Sequence, residues 1–184
     1  MESALDVPVP EGVDGLVVLF EYAGAERDLI LGLKHNRAVG SVPDLADQLA
    51  AAVRTQPWTD VPTLVTWIPT TRGRRSERGY DQSLLLAKAV ARRLHIPCRR
   101  LLVRSGRAQE GLGAVDRRVG PELATRRTVD DCVLVIDDVV TTGATLSAAA
   151  EALRLAGVPS VLGAALSYAA PHREAAPSRT RTIR

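Results

Sequence analysis

The chain has 184 residues, 46% of them hydrophobic and 24% charged, a balance that fits one domain with a full core and excludes wholesale disorder. No apolar stretch reaches the roughly 18 residues a membrane helix needs, and two cysteines, Cys98 and Cys132, cannot build a disulfide framework or a four-thiolate zinc site. The net charge of +3 hides an uneven spread: residues 1–71 hold four basic against ten acidic side chains, residues 72–107 eleven against two, and residues 108–168 five against eight.

The strongly basic middle segment points to a site that receives an anion rather than to a protein that coats DNA. The acidic start, MESALDVPVPEGVDG, lacks a basic-then-apolar export pattern, so a reducing cytoplasm is the expected setting.

Residues 1–12, with Pro8 and Pro10, read as an irregular lead-in. Residues 16–22 are apolar and β-compatible, bounded by Gly15 and Gly24. Residues 26–34 suit a short helix. Residues 44–54 place Leu45, Leu49 and Val53 at helical spacing, and Gln56-Pro57 ends that helix. A strand is predicted over 64–68, stopped by Pro69, then a polar, Arg-rich loop over 70–79. The next helix is predicted over 81–94, with Leu84, Ala87, Ala91 and Leu94 on one face and His95 at its end.

Residues 98–103 read as a strand. Residues 104–127 have no clean period and carry Gly106, Gly111, Gly113, Gly120 and Pro121, a length that marks a functional or mobile loop. Residues 133–136 form a buried strand followed by Asp137-Asp138. Residues 144–156 form a helix with Leu146, Ala149, Ala150 and Leu153 inward, closed by Gly157. Residues 161–166 are a last strand, and residues 169–184 read as a disordered basic tail.

Strands alternating with helices predict an α/β fold with a parallel sheet covered on both faces. In such sheets ligands sit at the carboxyl ends of the strands, so the loops after Ile68 and Ile136 are the places to look.

The segment VLVIDDVVTTGAT over 133–145 carries the clearest chemistry. Two carboxylates, Asp137 and Asp138, follow an apolar strand and can accept from neighbouring hydroxyls, as on a ribose. The turn that follows opens a helix, whose first N–H groups and dipole suit a phosphate. Gly143 lets backbone approach the anion. Thr141, Thr142 and Thr145 can donate hydroxyl hydrogen bonds to it. An apolar strand ending in Asp-Asp also occurs in Walker B elements, but the two lysines, Lys34 and Lys88, follow Leu33 and Ala87 and make no Gly-Lys-Ser/Thr loop.

The second signal is WIPTTRGRRSERGYDQ over 67–82, with Arg72, Arg74, Arg75 and Arg78 in seven residues. Guanidinium forks pair bidentately with phosphate oxygens. Taken alone, such a run is as well read as a solvated loop or a nucleic-acid patch.

Residues 133–145 closely resemble the phosphoribosyl pyrophosphate (PRPP) signature of type I phosphoribosyltransferases. Pro69 with Arg78-Gly79-Tyr80-Asp81-Gln82, the Tyr22 to Lys34 stretch, and Arg104, Gln109, Leu112 and Arg117 are similar to the ComF/GntX-like branch of that family. The resemblance spans roughly residues 18–167. Three departures stand out. Asp81 replaces the family's Asn, Val119-Gly120 stand near a usual Asn of the lid, and the family's cysteine-rich zinc ribbon has no counterpart, since no CxxC occurs.

The resemblance implies the type I phosphoribosyltransferase fold: a parallel twisted sheet flanked by helices with a small N-terminal hood. Residues 1–60 would be lead-in and hood, 61–168 the core and 169–184 the tail of a single domain. Asp137 and Asp138 would bind the ribose hydroxyls, and Thr141, Thr142, Gly143, Ala144 and Thr145 would cradle the 5′-phosphate. Pro69, Thr70, Thr71, Arg72 and Arg78 would form the pyrophosphate loop. Arg104 or Arg117 would close over the site; Asp137, Asp138 and Arg104 are the expected catalytic residues.

Mg²⁺ would be held mainly through PRPP, with no zinc. The acceptor is a nitrogen nucleophile of unknown identity, and Thr141 stands where purine-salvage relatives carry a proton-accepting acid, which disfavours a 6-oxopurine. A non-enzymatic PRPP-binding regulator, or a competence and DNA-uptake role with uptake or repair proteins as partners, is the competing expectation. A homodimer is a further candidate; a membrane partner is not expected. His35, His95 and His172 show no i, i+4 pairing, so no metal site or histidine triad is expected. Aromatic residues at 3% argue against a base-stacking platform.

Overall fold

Runs of β-branched and aliphatic residues too apolar to alternate with polar ones call for strands covered on both faces, and these runs build the central sheet. The computed structural model describes residues 5–34, 38–70, 81–104, 123–125 and 129–170. In chain order these form β1 (Gly15–Glu21), α1 (Gly24–Lys34), α2 (Val42–Arg54), β2 (Leu64–Trp67), α3 (Gln82–Leu94), β3 (Leu102–Arg104), β4 (Leu123–Thr125), β5 (Cys132–Val140), α4 (Ala144–Leu155) and β6 (Ser160–Tyr168). A single 3₁₀ turn, Val39–Ser41, leads into α2.

The sheet runs β1-β6-β5-β2, and each adjacent pair is parallel. Leu134, Ile136, Leu162 and Leu166 face α2 and α3, whose Leu45, Leu49, Leu86 and Val90 complete one buried cluster. Val133, Val135, Val161 and Ala165 face α4, whose Leu146, Ala149, Ala150 and Leu153 complete the other. Leu49 and Leu153 are wholly buried; truncating either to Ala costs about 2–5 kcal/mol by the usual transfer and cavity effects.

Three expectations change. The strand expected over 98–103 splits. Cys98 makes a single parallel bridge to Val65 of β2. The chain then turns away to β3, which pairs antiparallel with β4, a strand inside the stretch read as aperiodic. Thr66 explains the departure: its hydroxyl is fully buried and accepts from Leu101 N–H at 3.3 Å, holding the chain where it leaves the sheet. Thr125 then donates to the Ala152 carbonyl at 3.3 Å, seating the hairpin on α4.

The strand expected over 133–136 also runs on to Val140. Its partner β2 ends first: the last bond on that side is Ile68 N–H to the Ile136 carbonyl at 3.0 Å, and the next donor facing β5, Thr70 N–H, turns to the Asp81 carboxylate at 3.5 Å. Pairing with β6 continues through Val139 with Ser167 and Val140 with Tyr168. Asp137 and Asp138 therefore lie within β5, where one neighbour has gone and the other remains. Finally, β1, from the stretch assigned to the lead-in and hood, is an edge strand of this same sheet.

Helix ends follow local chemistry. Asp81 caps α3 by accepting from Leu84 N–H at 3.3 Å, and His95 closes it in the left-handed conformation at φ 60. Arg93 ties α3 to α2, through Asp47 and the Pro43 carbonyl at 2.8 Å. The Arg93 guanidinium beside Asp47 holds that carboxyl below its ordinary value. The loop over 71–80 and the tail over 171–184 lie outside the described residues.

Candidate functional site

Four strands deliver their carboxyl ends to one side of the sheet, and a cleft of about 500 Å³ opens there. Tyr22 follows β1, Ile68, Pro69 and Thr70 follow β2, and Ala169 follows β6; all line the cleft with Asp137, Asp138 and Val139 of β5. Thr141 and Thr145 line it from the turn into α4, Gln82 and Ser83 from the start of α3, and Arg104 from the end of β3.

The carboxylate pair sits where β5 has lost its β2 neighbour. By strand alternation the Asp138 amide points to the vacated side. It donates instead to Asp137 Oδ1 at 2.9 Å, and Val139 N–H donates to Asp138 Oδ1 at 2.9 Å. Asp137 is buried, at 8% exposure, and Asp138 is half-buried. Asp138 also borders a small cavity of about 20 Å³ with Ile30, Leu33, Leu86 and Leu166, so an apolar wall stands beside the acid.

Thr141 and Thr142 are exposed, Gly143 is buried at φ +79, and Ala144 and Thr145 are half-buried. The turn is built from its own groups: Thr142 Oγ1 accepts from Ala144 N–H at 3.4 Å, and the Gly143 carbonyl accepts the first helical bond, from Ser147 N–H at 2.9 Å. The amides of the first helical turn have no acceptor inside the helix by construction, and they carry the positive end of its dipole.

At the other rim, Arg104 Nε donates to the Pro69 carbonyl at 2.8 Å. The Thr70 hydroxyl donates to Asp81 at 3.1 Å, and Thr70 N–H reaches the same carboxylate at 3.5 Å. Pro69 and Thr70 are thus held from both sides. Thr71, Arg72 and Arg78, expected in the pyrophosphate loop, lie outside the described residues, as does Arg117. The structure brings together the other expected positions: Asp137, Asp138, Thr141, Thr145, Pro69, Thr70 and Arg104 line one cleft, with Thr142, Gly143 and Ala144 completing the turn.

Sequence reasoning did not assign Tyr22, Gln82 or Ser83 to the site. The signal was available for each: Tyr22 directly follows a strand, and Gln82 and Ser83 are the first residues of a helix that starts where β2 hands over. The starts of α3, which Asp81 already caps, and of α4 therefore border the same cleft as Arg104 and the two carboxylates. That distribution suits a ligand with anionic groups at its ends and hydroxyls in its middle.

Among the described residues no three His, Cys, Asp or Glu side chains are grouped to hold a metal ion. Asp137 and Asp138 offer hard oxygen donors, so a magnesium ion here would take its remaining oxygens from ligand and water. Neither cysteine lines the cleft; burial pushes both thiols above their ordinary value, against a nucleophilic role.

Residues 81–183 match the phosphoribosyl transferase domain family. Competence protein F of Haemophilus influenzae is 31% identical over 160 residues, covering 80% of this chain and 70% of that protein. Among solved structures, adenine phosphoribosyltransferase from Leishmania tarentolae is 15% identical with a TM-score of 0.48, covering 83% of this chain and 91% of its own. The Bacillus subtilis glutamine PRPP amidotransferase complexed with ADP and GMP is 21% identical with a TM-score of 0.48 over 70% of this chain, which spans 26% of that larger protein.

Proposed function

The chain belongs to the phosphoribosyl transferase family, as a ComF-like member with the type I fold, and we propose that its cleft binds Mg²⁺–PRPP and transfers the phosphoribosyl group to a nitrogen nucleophile. One observation carries the reading: the tandem acids of β5 and the Thr141–Thr145 turn into α4 border the same cleft.

In this reading the 5′-phosphate rests on the 141–145 turn, receiving amide and threonine hydroxyl hydrogen bonds. Asp137 and Asp138 accept from the ribose 2′ and 3′ hydroxyls. The pyrophosphate lies against Pro69 and Thr70, with the Arg104 charge close by. The C1–O bond breaks with its electron pair leaving on pyrophosphate, and the nitrogen lone pair forms the new bond to C1 from the opposite face. The nitrogen's proton is then released. Magnesium, when bound, neutralises the departing oxygens. Catalysis on these terms is positioning plus charge stabilisation.

Thr141 carries no carboxylate, and the other acids lining the cleft among the described residues are Asp137 and Asp138 themselves. This supports an acceptor that attacks without prior deprotonation by a dedicated base. A PRPP-binding regulator would use the same cleft; the two roles part on whether pyrophosphate is released.

Calorimetric titration with Mg²⁺–PRPP tests the proposal. The intact chain is expected to bind in the micromolar range, and the double variant Asp137→Asn/Asp138→Asn to lose binding while staying folded. No binding by the intact chain overturns both the transferase and the regulator readings.

A further inference from the structure

Gly143 enters α4 at φ +79, and the space its missing Cβ would fill is taken by Pro10. A Cβ there would fall 2.8 Å from Pro10 Cγ and 2.9 Å from Pro10 Cβ. Pro10 is buried, although its neighbours Pro8, Val9, Glu11 and Gly12 are exposed. Among its described residues 5–12, the lead-in read from sequence as irregular thus has one buried side chain, Pro10, and it lies behind the turn.

The segment around Pro10 is anchored. Leu5 N–H donates to the Val18 carbonyl of β1 at 3.1 Å, Val13 N–H to the Pro10 carbonyl at 3.2 Å, and Asp14 N–H to the Val161 carbonyl of β6 at 2.8 Å. Leu5 and Val7 pack on the core cluster that α4 shares. Gly12, at φ +78, passes so close to α4 that a Cβ on it would lie 3.3 Å from Ala150 Cβ. Within residues 5–13 the chain therefore runs along α4, from a rigid ring against its N-cap Gly143 to Gly12 against Ala150.

We propose that Pro10 is a positioning residue and that residues 5–13 are a strap holding the 141–145 turn in its anion-receiving shape from behind. The role rests on the reading of that turn as the phosphate cradle. A backbone cradle works only if its amides are already aimed when the ligand arrives. Thr141 and Thr142 are exposed, and the Thr142 hydroxyl bond to Ala144 N–H ties the turn only to itself. The pyrrolidine ring supplies a contact of fixed shape with little entropy left to lose.

The test compares wild type, Pro10→Gly, Pro10→Ala and Val53→Ala, the last hollowing the opposite core face far from the turn. Mg²⁺–PRPP binding is measured by calorimetry, and amide hydrogen exchange at residues 143–147 is followed in the ligand-free chain. Pro10→Gly is expected to weaken binding by about tenfold, the scale of a slightly misplaced binding group. Pro10→Ala, which keeps its Cβ, should fall between, and it carries the test if Pro10→Gly unfolds. Val53→Ala should leave affinity within about twofold although it lowers the melting temperature, since lost core packing alone does not re-aim the turn.

Where wild type binds, equal weakening by the Pro10 and Val53 variants, or none by the Pro10 variants, overturns the strap. Where wild type does not bind, the phosphoribosyl reading falls and exchange alone decides the strap: faster exchange at 143–147 in the Pro10 variants only supports it, and unchanged exchange overturns it.

Discussion

Arg104 Nε donates to the Pro69 carbonyl across 2.8 Å, joining the end of β3 to the chain just past β2. The bond explains how a side chain outside the main sheet comes to line a cleft at its strand ends. It also binds the start of the Arg-rich loop to the start of the long segment after β3. Arg104 thus holds one strand end in place while bringing a permanent charge to the rim.

Arg104→Ala is expected to weaken pyrophosphate binding by about tenfold, or ~1.4 kcal/mol. Arg104→Lys should recover only part of this, because an ammonium keeps the charge but not the fork that reaches the carbonyl. Titration of the three proteins with Mg²⁺–pyrophosphate checks the order. Equal affinity in all three removes Arg104 from the site.

Asp81 accepts from Leu84 N–H at the cap of α3 and from Thr70 at the start of the loop. Asp81→Ala is expected to cost about 1–2 kcal/mol of stability through the lost cap and the stranded Thr70 hydroxyl. Asp81→Asn keeps an acceptor oxygen and should cost about 0.5 kcal/mol or less. Urea unfolding midpoints at unchanged slope report the difference. An Asn variant as unstable as the Ala variant would show that the negative charge itself matters.

Burial pushes the thiols of Cys98 and Cys132 up, and nearby Lys88 pulls Cys98 only partly back. A thiol held above its unfolded value contributes stability that is intact below about pH 8.5 and fades as pH climbs through its folded value. The chain should therefore lose stability above about pH 8.5, and Cys98→Ala/Cys132→Ala should flatten that decline. Iodoacetamide at pH 7.5 should label the native chain slowly and the denatured chain fast. Rapid native labelling contradicts the burial argument.

The amino-acid order alone announced most elements, because their signals are local. Leu45, Leu49 and Val53 mark one face of α2 by spacing; Asp81 and His95 mark the two ends of α3 by side-chain and backbone chemistry. The acids, the threonine turn and Gly143 are likewise a contiguous run. The length of β5 past Ile136 was not readable, since it depends on β6 continuing after β2 stops. The split of the strand expected over 98–103 and its β4 partner were also not readable, because a single bridge and three-residue strands carry too little pattern to fix what they pair with.

Sequence by itself determined the chemistry available at the cleft, because tandem carboxylates, hydroxyls and a left-handed glycine are properties of neighbouring residues. Tertiary structure alone decided which distant groups share the cleft and what holds them. Tyr22, Gln82 and Ser83 reach it because parallel strands end on one side; Arg104 reaches it through the Pro69 carbonyl; Pro10 lies behind Gly143 although 133 positions separate them in the chain. Such contacts arise from close packing between elements, and packing is set by the whole fold rather than by any local run of residues.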